Sequence, residues 1–148
     1  GPTGVGKTYI ANALAHQACR QGHKALYTRL PRLLGDLEIA KGDGRYRQQL
    51  AALQRTDLLI LDDWGVTPMT DQNRRDLLEL LDDRYDTRST LITSQLPTSS
   101  WHDYLDDPTL ADAILDRFIH NAHHLNLHGD SLRKTRTPLT NTPENSHP

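Results

Sequence analysis

The chain of 148 residues has one cysteine, few aromatic side chains and little net charge, and these shortages exclude several classes of protein. Its single cysteine, Cys19, excludes an internal disulfide, and its small apolar neighbours on a predicted helix indicate a buried packing thiol. No apolar run is long enough to cross a bilayer and no secretory signal is recognisable, so we expect a cytoplasmic protein with no membrane partner. The formal net charge of −2 gives no global attraction for nucleic acid, although it leaves room for a local basic patch.

A phosphate-binding loop of the pattern G-x-x-x-x-G-K-T opens the chain. Backbone N–H groups and the lysine of such a loop hold nucleotide phosphates, and its threonine hydroxyl ligates Mg²⁺. A glycine-rich stretch is otherwise an ordinary turn, but residues 7–21 have the apolar spacing of a helix, which would place the phosphates at a helix N-terminus. The sequence therefore predicts a site for ATP and Mg²⁺, with the loop residues Gly1, Pro2, Thr3, Gly4, Val5, Gly6, Lys7 and Thr8.

Predicted strands alternate with predicted helices along the rest of the chain, which is typical of an α/β doubly wound parallel sheet. One domain is expected over residues 1–135, followed by a disordered tail at residues 136–148 that is rich in Thr, Pro, Asn and Ser. The patterns place strands at residues 24–28, 57–63, 89–95 and 123–127, and further helices at residues 30–40, 45–54, 70–85 and 112–122.

Two adjacent carboxylates, Asp62 and Asp63, end a continuous apolar run that predicts a strand buried on both faces. At that strand end Asp62 would hold Mg²⁺ through its water shell opposite Thr8, and Asp63 would orient or deprotonate the attacking water. Two acids at a strand end are otherwise a solvated turn, but Lys7 lies 55 residues before Asp62 (62 minus 7), which favours the functional interpretation. Many ATPases of this type have the longer Glu as the second acid.

The following strand ends in the polar triplet Thr93-Ser94-Gln95. A polar side chain there could lie between the paired acids and contact the γ-phosphate or the attacking water. Gln95 is the first candidate for this role, with Thr93 or Ser94 as substitutes, and a polar cluster without function is the alternative. Trp64 and Trp101 also follow strand ends, and we expect both to be packing anchors.

Taken together, the motifs resemble the IstB-like ATP-binding proteins of bacterial insertion sequences, which are similar to the DnaC helicase loaders and belong to the AAA+ ATPases. This resemblance implies an AAA+ type P-loop NTPase fold over about the first 135 residues. The family has a helical region and a first core strand ahead of the loop, so the resemblance implies an N-terminally truncated core that lacks this strand and folds poorly alone. Besides the loop, it rests on the stretches Leu59–Gly65, Ile92–Pro97, Trp101–His102, Asp107–Arg117 and Gly129–Lys134.

The resemblance also implies roles for two arginines. Arg117 matches the arginine finger that such proteins offer to ATP on a neighbouring subunit, which implies a homo-oligomer. Arg133 matches the second sensor, which contacts the nucleotide of its own subunit. Without the family match, Arg117 would be a solvated arginine on a helix and Arg133 a basic residue in a fraying segment.

As a function, the resemblance implies an ATPase that assembles on double-stranded DNA and recruits or stimulates the transposase of the same insertion sequence. The residues themselves add a basic cluster of Lys41, Arg45 and Arg47, which is either a set of DNA phosphate contacts or a solvated helix face. The alternatives are a DnaC-like helicase loader and a truncated copy without activity. A P-loop kinase of small metabolites is disfavoured by the paired acids, Gln95 and Arg117.

Overall fold

Three parallel strands form the centre of the fold in the computed structural model, which describes residues 1–133. They lie in the spatial order β1-β2-β3, and the register places Leu26 opposite Leu59 and Ile60 opposite Leu91. The predicted α/β parallel sheet is therefore confirmed. The strands are β1 (Ala25–Arg29), β2 (Leu58–Trp64) and β3 (Ser89–Ser94). The helices are α1 (Lys7–Arg20), α2 (Leu30–Asp43), α3 (Tyr46–Arg55), α4 (Asp71–Arg84), α5 (Trp101–Leu105) and α6 (Pro108–Ile119), with a 3₁₀ turn at Thr98–Ser100.

Strand β2 is buried on both faces because its central residues are uninterruptedly apolar. Leu59, Ile60 and Leu61 are each 0% exposed. Leu59 and Leu61 join the main core with apolar residues of α2 to α6. Alternation along the strand directs Ile60 to the opposite face, where α1 lies against all three strands. Helices thus cover both faces of the sheet, as a doubly wound fold requires.

Trp64, at the end of β2, is the aromatic centre of the main core. Its ring is fully buried and lies 5.0 Å from the ring of Trp101, between ring centroids. The rings of Tyr104 and Phe118 meet it edge-on at 5.8 Å and 5.6 Å. The prediction that Trp64 and Trp101 are packing anchors is confirmed.

Capping residues set helix boundaries that the apolar pattern misplaced. Helix α6 begins at Pro108 because the Asp107 side chain accepts a hydrogen bond from the N–H of Leu110 at 2.9 Å, so the predicted start at residue 112 was wrong. Helix α2 continues past its predicted end at residue 40 and ends at Asp43, where the left-handed backbone of Gly44 caps it. Helix α5 was missed because its five residues are too few to show a period.

The strand predicted at residues 123–127 does not form, and the prediction was wrong. Residues 122–128 have no regular secondary structure, and Leu125 is 73% exposed. A β-strand needs a neighbour that completes its hydrogen-bond ladder. The sheet within residues 1–133 has three strands, and residues 123–127 pair with none of them, so their apolar pattern completes no ladder.

Cys19 is exposed, so the prediction of a buried thiol was also wrong. Helix α1 turns the buried Ala11 toward the sheet. Cys19 lies eight residues further on, which rotates it by roughly 80° from Ala11 around the helix axis. This rotation carries the thiol out to the solvent side of α1.

The predicted tail at residues 136–148 lies outside the described residues, as does the domain boundary at residue 135. Among the helices of residues 1–133, none is both long enough and apolar enough to span a membrane.

A buried arginine, Arg84, joins the end of α4 to the chain segments around it. Its side chain is 1% exposed, and its Nη1 donates to the carbonyl oxygens of Leu53 at 2.7 Å and Thr56 at 2.6 Å. The other guanidinium nitrogens donate to the Ser89 carbonyl and, at 3.0 Å, to the Thr90 hydroxyl. Burial lowers the pKa of Arg84 to about 10, which still leaves it charged at neutral pH.

We expect Arg84→Met to lower the free energy of unfolding by about 2–4 kcal/mol, because it leaves several buried acceptors without a donor. The measurement is the urea midpoint followed by circular dichroism. Arg88→Met is the matched control, since Arg88 is 43% exposed and its ion pair with Asp57 is 3.8 Å long. Equal midpoints for the two variants would show that the Arg84 contacts do not stabilise the fold.

Candidate nucleotide-binding site

The phosphate-binding loop curls around the start of α1. Gly4 and Gly6 have φ angles of 82° and 101°, a left-handed conformation that residues with a Cβ rarely adopt. Gly6 caps α1 without a side-chain hydrogen bond, so the N–H groups of the first turn point toward a site where an anion can accept from them. A Cβ at Gly4 would also overlap the Ser131 side chain. The local geometry therefore needs glycine at both positions.

Lys7 spans the mouth of this loop. Its Nζ donates to the carbonyl oxygens of Gly1 at 2.6 Å and Pro2 at 2.5 Å. Burial lowers the pKa of Lys7, and the nearby carboxylates of Asp62 and Asp63 oppose that shift. The ammonium is held by neutral carbonyls, which are weaker acceptors than the oxygens of an anionic ligand.

The Asp62 carboxylate, only 5% exposed, accepts a hydrogen bond from each element around it. The Thr8 hydroxyl donates to Oδ2 at 3.0 Å, and the Tyr27 hydroxyl donates to the same oxygen. Thr93 and, at 2.9 Å, the Asp63 N–H donate to Oδ1. Burial acts to raise the pKa of Asp62, but the bonds from Thr93, Tyr27 and Thr8 outweigh it and hold the pKa below its usual range. Asp62 is therefore an anion at neutral pH.

Asp63 faces away from these donors. The ladder between β2 and β3 shifts register between Leu61 and Trp64, and Asp63 has a left-handed φ of 64°. Its Oδ2 accepts from Nε of Arg29 at 2.5 Å. Strand β1 brings Arg29 there, because its last residue lies in register with Asp62. In this conformation the second acid is occupied by a cation of its own chain.

At the end of β3 the structure separates the three polar residues of the predicted sensor. Thr93 is buried and bonds to Asp62, whereas Ser94 donates to the carbonyl of Trp64 at 2.8 Å. Gln95 is exposed. Thr93, a substitute in the sequence prediction, is thus the member of the triplet that reaches the carboxylate.

The segment that carries Arg133 lies against the phosphate loop. The N–H of Leu132 donates to the Gly4 carbonyl at 2.9 Å, and the backbone of Leu127 lies beside Gly1. Arg133 is exposed next to this contact, and its N–H donates to the Ser131 hydroxyl at 3.3 Å. The fold therefore brings Arg133 close to the loop in the same chain.

Arg117 lies on α6 and is engaged with the neighbouring α4. Its Nε donates to Asp82 at 2.6 Å and its Nη1 to the Ala113 carbonyl at 3.0 Å. None of the contacts found within residues 1–133 joins Arg117 to the phosphate loop of its own chain.

Sequence reasoning missed two residues of the site, Tyr27 and Arg29. Both lie in the polar stretch Tyr27-Thr28-Arg29 at the C-terminal end of β1. That stretch was a usable signal, because neighbouring parallel strands end at the same edge of a sheet. Their partners, Asp62 and Asp63, became visible only with the strand register.

The residues present suit Mg²⁺ bound with a nucleotide. An anionic carboxylate and a hydroxyl 3.0 Å apart are hard oxygen donors of the kind that Mg²⁺ takes when it keeps several waters and phosphate oxygens. No group of three or more His, Cys, Asp or Glu side chains in the described part of the chain is arranged to hold a metal by itself. The two protein donors beside the loop are therefore a site that would depend on the phosphates to complete it.

Comparison with known proteins shows which family the chain is similar to. The family model described as IstB-like ATP binding protein matches residues 1–139. A Sinorhizobium fredii protein named for an insertion sequence and for ATP binding is 56% identical over 136 residues, which are 92% of this chain and 56% of that protein. The corresponding protein of insertion sequence IS21 from Pseudomonas aeruginosa is 40% identical over a match that covers 90% of this chain and 50% of the IS21 protein. The chain spans about half the length of these curated relatives.

Solved structures show the same fold at lower identity. DnaA from Aquifex aeolicus with bound AMPPCP superposes with a TM-score of 0.67 at 17% identity, over 78% of this chain and 36% of that one. The DnaC helicase loader superposes with a TM-score of 0.65 at 24% identity, over 79% of this chain and 71% of the loader's chain. The expected AAA+ type P-loop fold is thus confirmed, and the chain belongs to the IstB-like ATP-binding protein family.

Proposed function

We propose that the chain is the ATP-binding and ATP-hydrolysing part of a DNA transposition helper. The observation that carries the proposal is the 3.0 Å hydrogen bond from Thr8 of the phosphate loop to Asp62 of β2. It brings the hydroxyl and the carboxylate that suit Mg²⁺ to one point beside the loop. The names of the relatives refer to insertion sequences and to ATP binding, which supports the ATP-binding role and the link to transposition.

In the proposed site, Lys7 exchanges its bonds to the Gly1 and Pro2 carbonyls for phosphate oxygens. The loop amides bind the same phosphates, and Thr8 and Asp62 hold Mg²⁺, which neutralises phosphate charge when bound. Asp63 orients or deprotonates the attacking water after it leaves Arg29. Arg133, on the segment beside the loop, contacts the nucleotide of its own chain.

The sensor position of β3 is filled by Thr93 or by Gln95. Thr93 already contacts Asp62, which favours it for a contact that needs the carboxylate. Gln95 lies further along the chain and is exposed, which favours it for a contact with a nucleotide that enters from solvent.

Arg117 is proposed to complete the site of a neighbouring subunit in a homo-oligomer. Its guanidinium is bound to the half-exposed Asp82. When subunits assemble, the guanidinium must therefore leave the Asp82 carboxylate and bind a phosphate of the neighbour's ATP. An arginine on the surface of α6 suits this role, because none of its contacts within residues 1–133 reaches the phosphate loop.

Of the basic side chains that the sequence suggested for contacts with DNA, two are paired with acids of the same chain. Lys41 donates to both oxygens of the buried Asp76, at 2.5 and 2.6 Å, which commits its charge to the packing of α2 against α4. Arg45 pairs with Asp43 at 2.6 Å. Arg47 on α3 and Arg32 on α2 are exposed, and the ion pair of Arg32 with Asp36 is long, at 4.0 Å. We propose these two as contacts to double-stranded DNA.

The helper would recruit or stimulate the transposase of the same insertion sequence, in keeping with the names of its relatives. A helicase loader is the second candidate because the DnaC helicase loader has the same fold. Binding of a replicative helicase, and none of the transposase, would favour that alternative.

We expect saturating Mg²⁺ and ATP, or AMPPCP, to raise the melting temperature by about 5–10 °C. A ligand at about a hundred times its dissociation constant stabilises a fold by about 2.7 kcal/mol, and a chain of this size converts that into such a shift. Lys7→Ala should abolish the shift, whereas the exposed control Lys24→Ala should retain it. No shift with the wild-type chain would contradict nucleotide binding and would favour a copy without activity.

Arg117→Ala should leave the nucleotide-induced melting shift unchanged and reduce phosphate release in the presence of DNA by at least about tenfold, because a missing finger affects the transition state. Mixing this variant with Lys7→Ala should restore hydrolysis, since the Lys7 variant still supplies Arg117 to its neighbour. Arg75→Ala, an exposed arginine on α4, is the control. Failure of the mixture to recover activity would contradict a role across subunits.

The double variant Arg32→Gln/Arg47→Gln should weaken binding to double-stranded DNA equally for unrelated sequences. It should also reduce the slope of log affinity against log salt by up to about 2, because each phosphate contact contributes about 0.9. Fluorescence anisotropy at several salt concentrations measures both. Arg20→Gln/Arg75→Gln, with the same loss of charge elsewhere, is the control, and an identical effect of the two pairs would exclude a local DNA surface.

A further inference from the structure

We infer that the open edge of β1 is a docking site for an extended segment of a partner protein, which under the proposed function is the transposase. The segment would add a strand to the sheet beside Ala25 and Tyr27. The identity of the partner rests on the proposed function, whereas the place of docking rests on the geometry of β1.

Strand β1 forms one edge of the sheet and pairs with β2 on its other side. The N–H of Leu58 donates to the Lys24 carbonyl at 3.0 Å, so that carbonyl faces β2. Backbone groups of successive residues point to opposite sides of a strand, so the N–H and C=O groups of Ala25 and Tyr27 face away from β2. Within residues 1–133 these outward groups have no hydrogen-bond partner, and such a row is a template for another strand.

A groove of about 420 Å³ runs beside this edge and is lined by residues of β1, α2 and α3, among them Leu33 and Leu53. Leu26 also lines it, and its register with Leu59 directs its side chain to the main core face of the sheet. Leu26 is nevertheless 40% exposed. An added strand with an apolar side chain on that face would cover Leu26 and contact the helices, as in other cases of strand addition.

The chain's own residues 134–148 have the wrong composition for this groove. They include three prolines and a single large apolar residue, Leu139. Proline has no N–H to donate to a ladder, and a half-buried strand needs alternating apolar side chains. The occupant is therefore a segment from another molecule.

Charge disfavours a second copy of β1 as that occupant. Lys24 precedes the strand and Arg29 ends it, so both charged residues at its ends are basic. A two-fold pair of β1 strands would be antiparallel and would bring Lys24 of one copy close to Arg29 of the other. Lys24 is exposed and lines the groove. The complementary occupant is a partner segment that places an acidic residue beside Lys24 and an apolar residue over Leu26.

The same strand leads directly to the nucleotide site. The side chains of Tyr27 and Arg29 contact Asp62 and Asp63, respectively. A partner strand bonded to the Tyr27 backbone would therefore lie beside the residues that hold both acids. Docking at this edge gives the partner a physical connection with the groups proposed for ATP hydrolysis.

The experiment measures binding of the full-length transposase of the same insertion sequence to the chain by biolayer interferometry. Ala25→Pro removes an outward N–H and no bond of the β1–β2 ladder, and Leu26→Lys puts a charge on the groove face. We expect each variant to weaken binding by about tenfold or more, because the added strand loses a hydrogen bond or its apolar contact. Both variants should keep the melting shift with AMPPCP.

The matched controls should bind the transposase like the wild-type chain. Ala25→Ser keeps the outward N–H, and Leu14→Lys places the same charge on α1 at a leucine that is 43% exposed. Wild-type affinity in the folded edge variants would overturn the inference, while the proposed function would stand. Failure of the wild-type chain to bind the transposase would overturn both. If Ala25→Pro does not fold, Leu26→Lys decides by itself.

Two further measurements test the other occupants. Smaller oligomers of Leu26→Lys than of the wild-type chain in analytical ultracentrifugation, with unchanged transposase affinity, would assign the edge to a second copy and overturn the inference. A melting temperature that falls on removal of residues 134–148 from the wild-type chain, but not from Leu26→Lys, would assign the edge to the chain's own end and also overturn it.

Discussion

Four hydrogen bonds converge on the carboxylate of Asp62, and they connect α1 with every strand of the sheet. Thr8 comes from α1, Tyr27 from β1, Thr93 from β3, and the Asp63 N–H from β2 itself. A carboxylate that is 5% exposed would be costly to bury without such donors. The alignment of the loop with the strand ends therefore depends on this one charge as much as on the apolar core beneath it.

The neighbouring acid shows how the same strand presents two carboxylates to different surroundings. Because the β2–β3 ladder shifts register after Leu61, Asp63 turns out of the sheet with a left-handed φ of 64°. Asp is among the side chains that tolerate this conformation most easily, while longer and bulkier residues are rarer there. This gives a physical reason for an aspartate at a position where many ATPases of this type have glutamate.

The sequence predicted the parts of the molecule whose chemistry is local. The phosphate loop, the buried β2 run and the packing role of Trp64 depend on residue type and short spacing, and the structure has all three. The strand at residues 123–127 was mispredicted because a ladder needs a neighbour that no local pattern reveals. The commitment of Lys41 to Asp76 and of Asp63 to Arg29 was invisible for a similar reason, since each pair joins segments about 35 residues apart.

The two residues proposed for the chemical step, Asp63 and Arg117, share one property: each is paired with an opposite charge of its own chain. Neither pair is deeply buried, and exposed ion pairs contribute little to stability because water and salt screen them. A phosphate with its own charge and several acceptors competes well against a single carboxylate for an arginine. By contrast, the Asp62 carboxylate is itself almost fully buried, and each of its four bonds is partly or fully buried. The proposed division of labour follows from this contrast: the groups that hold the metal are fixed by the fold, and the groups that act on the phosphate are held by bonds that are weak enough to exchange.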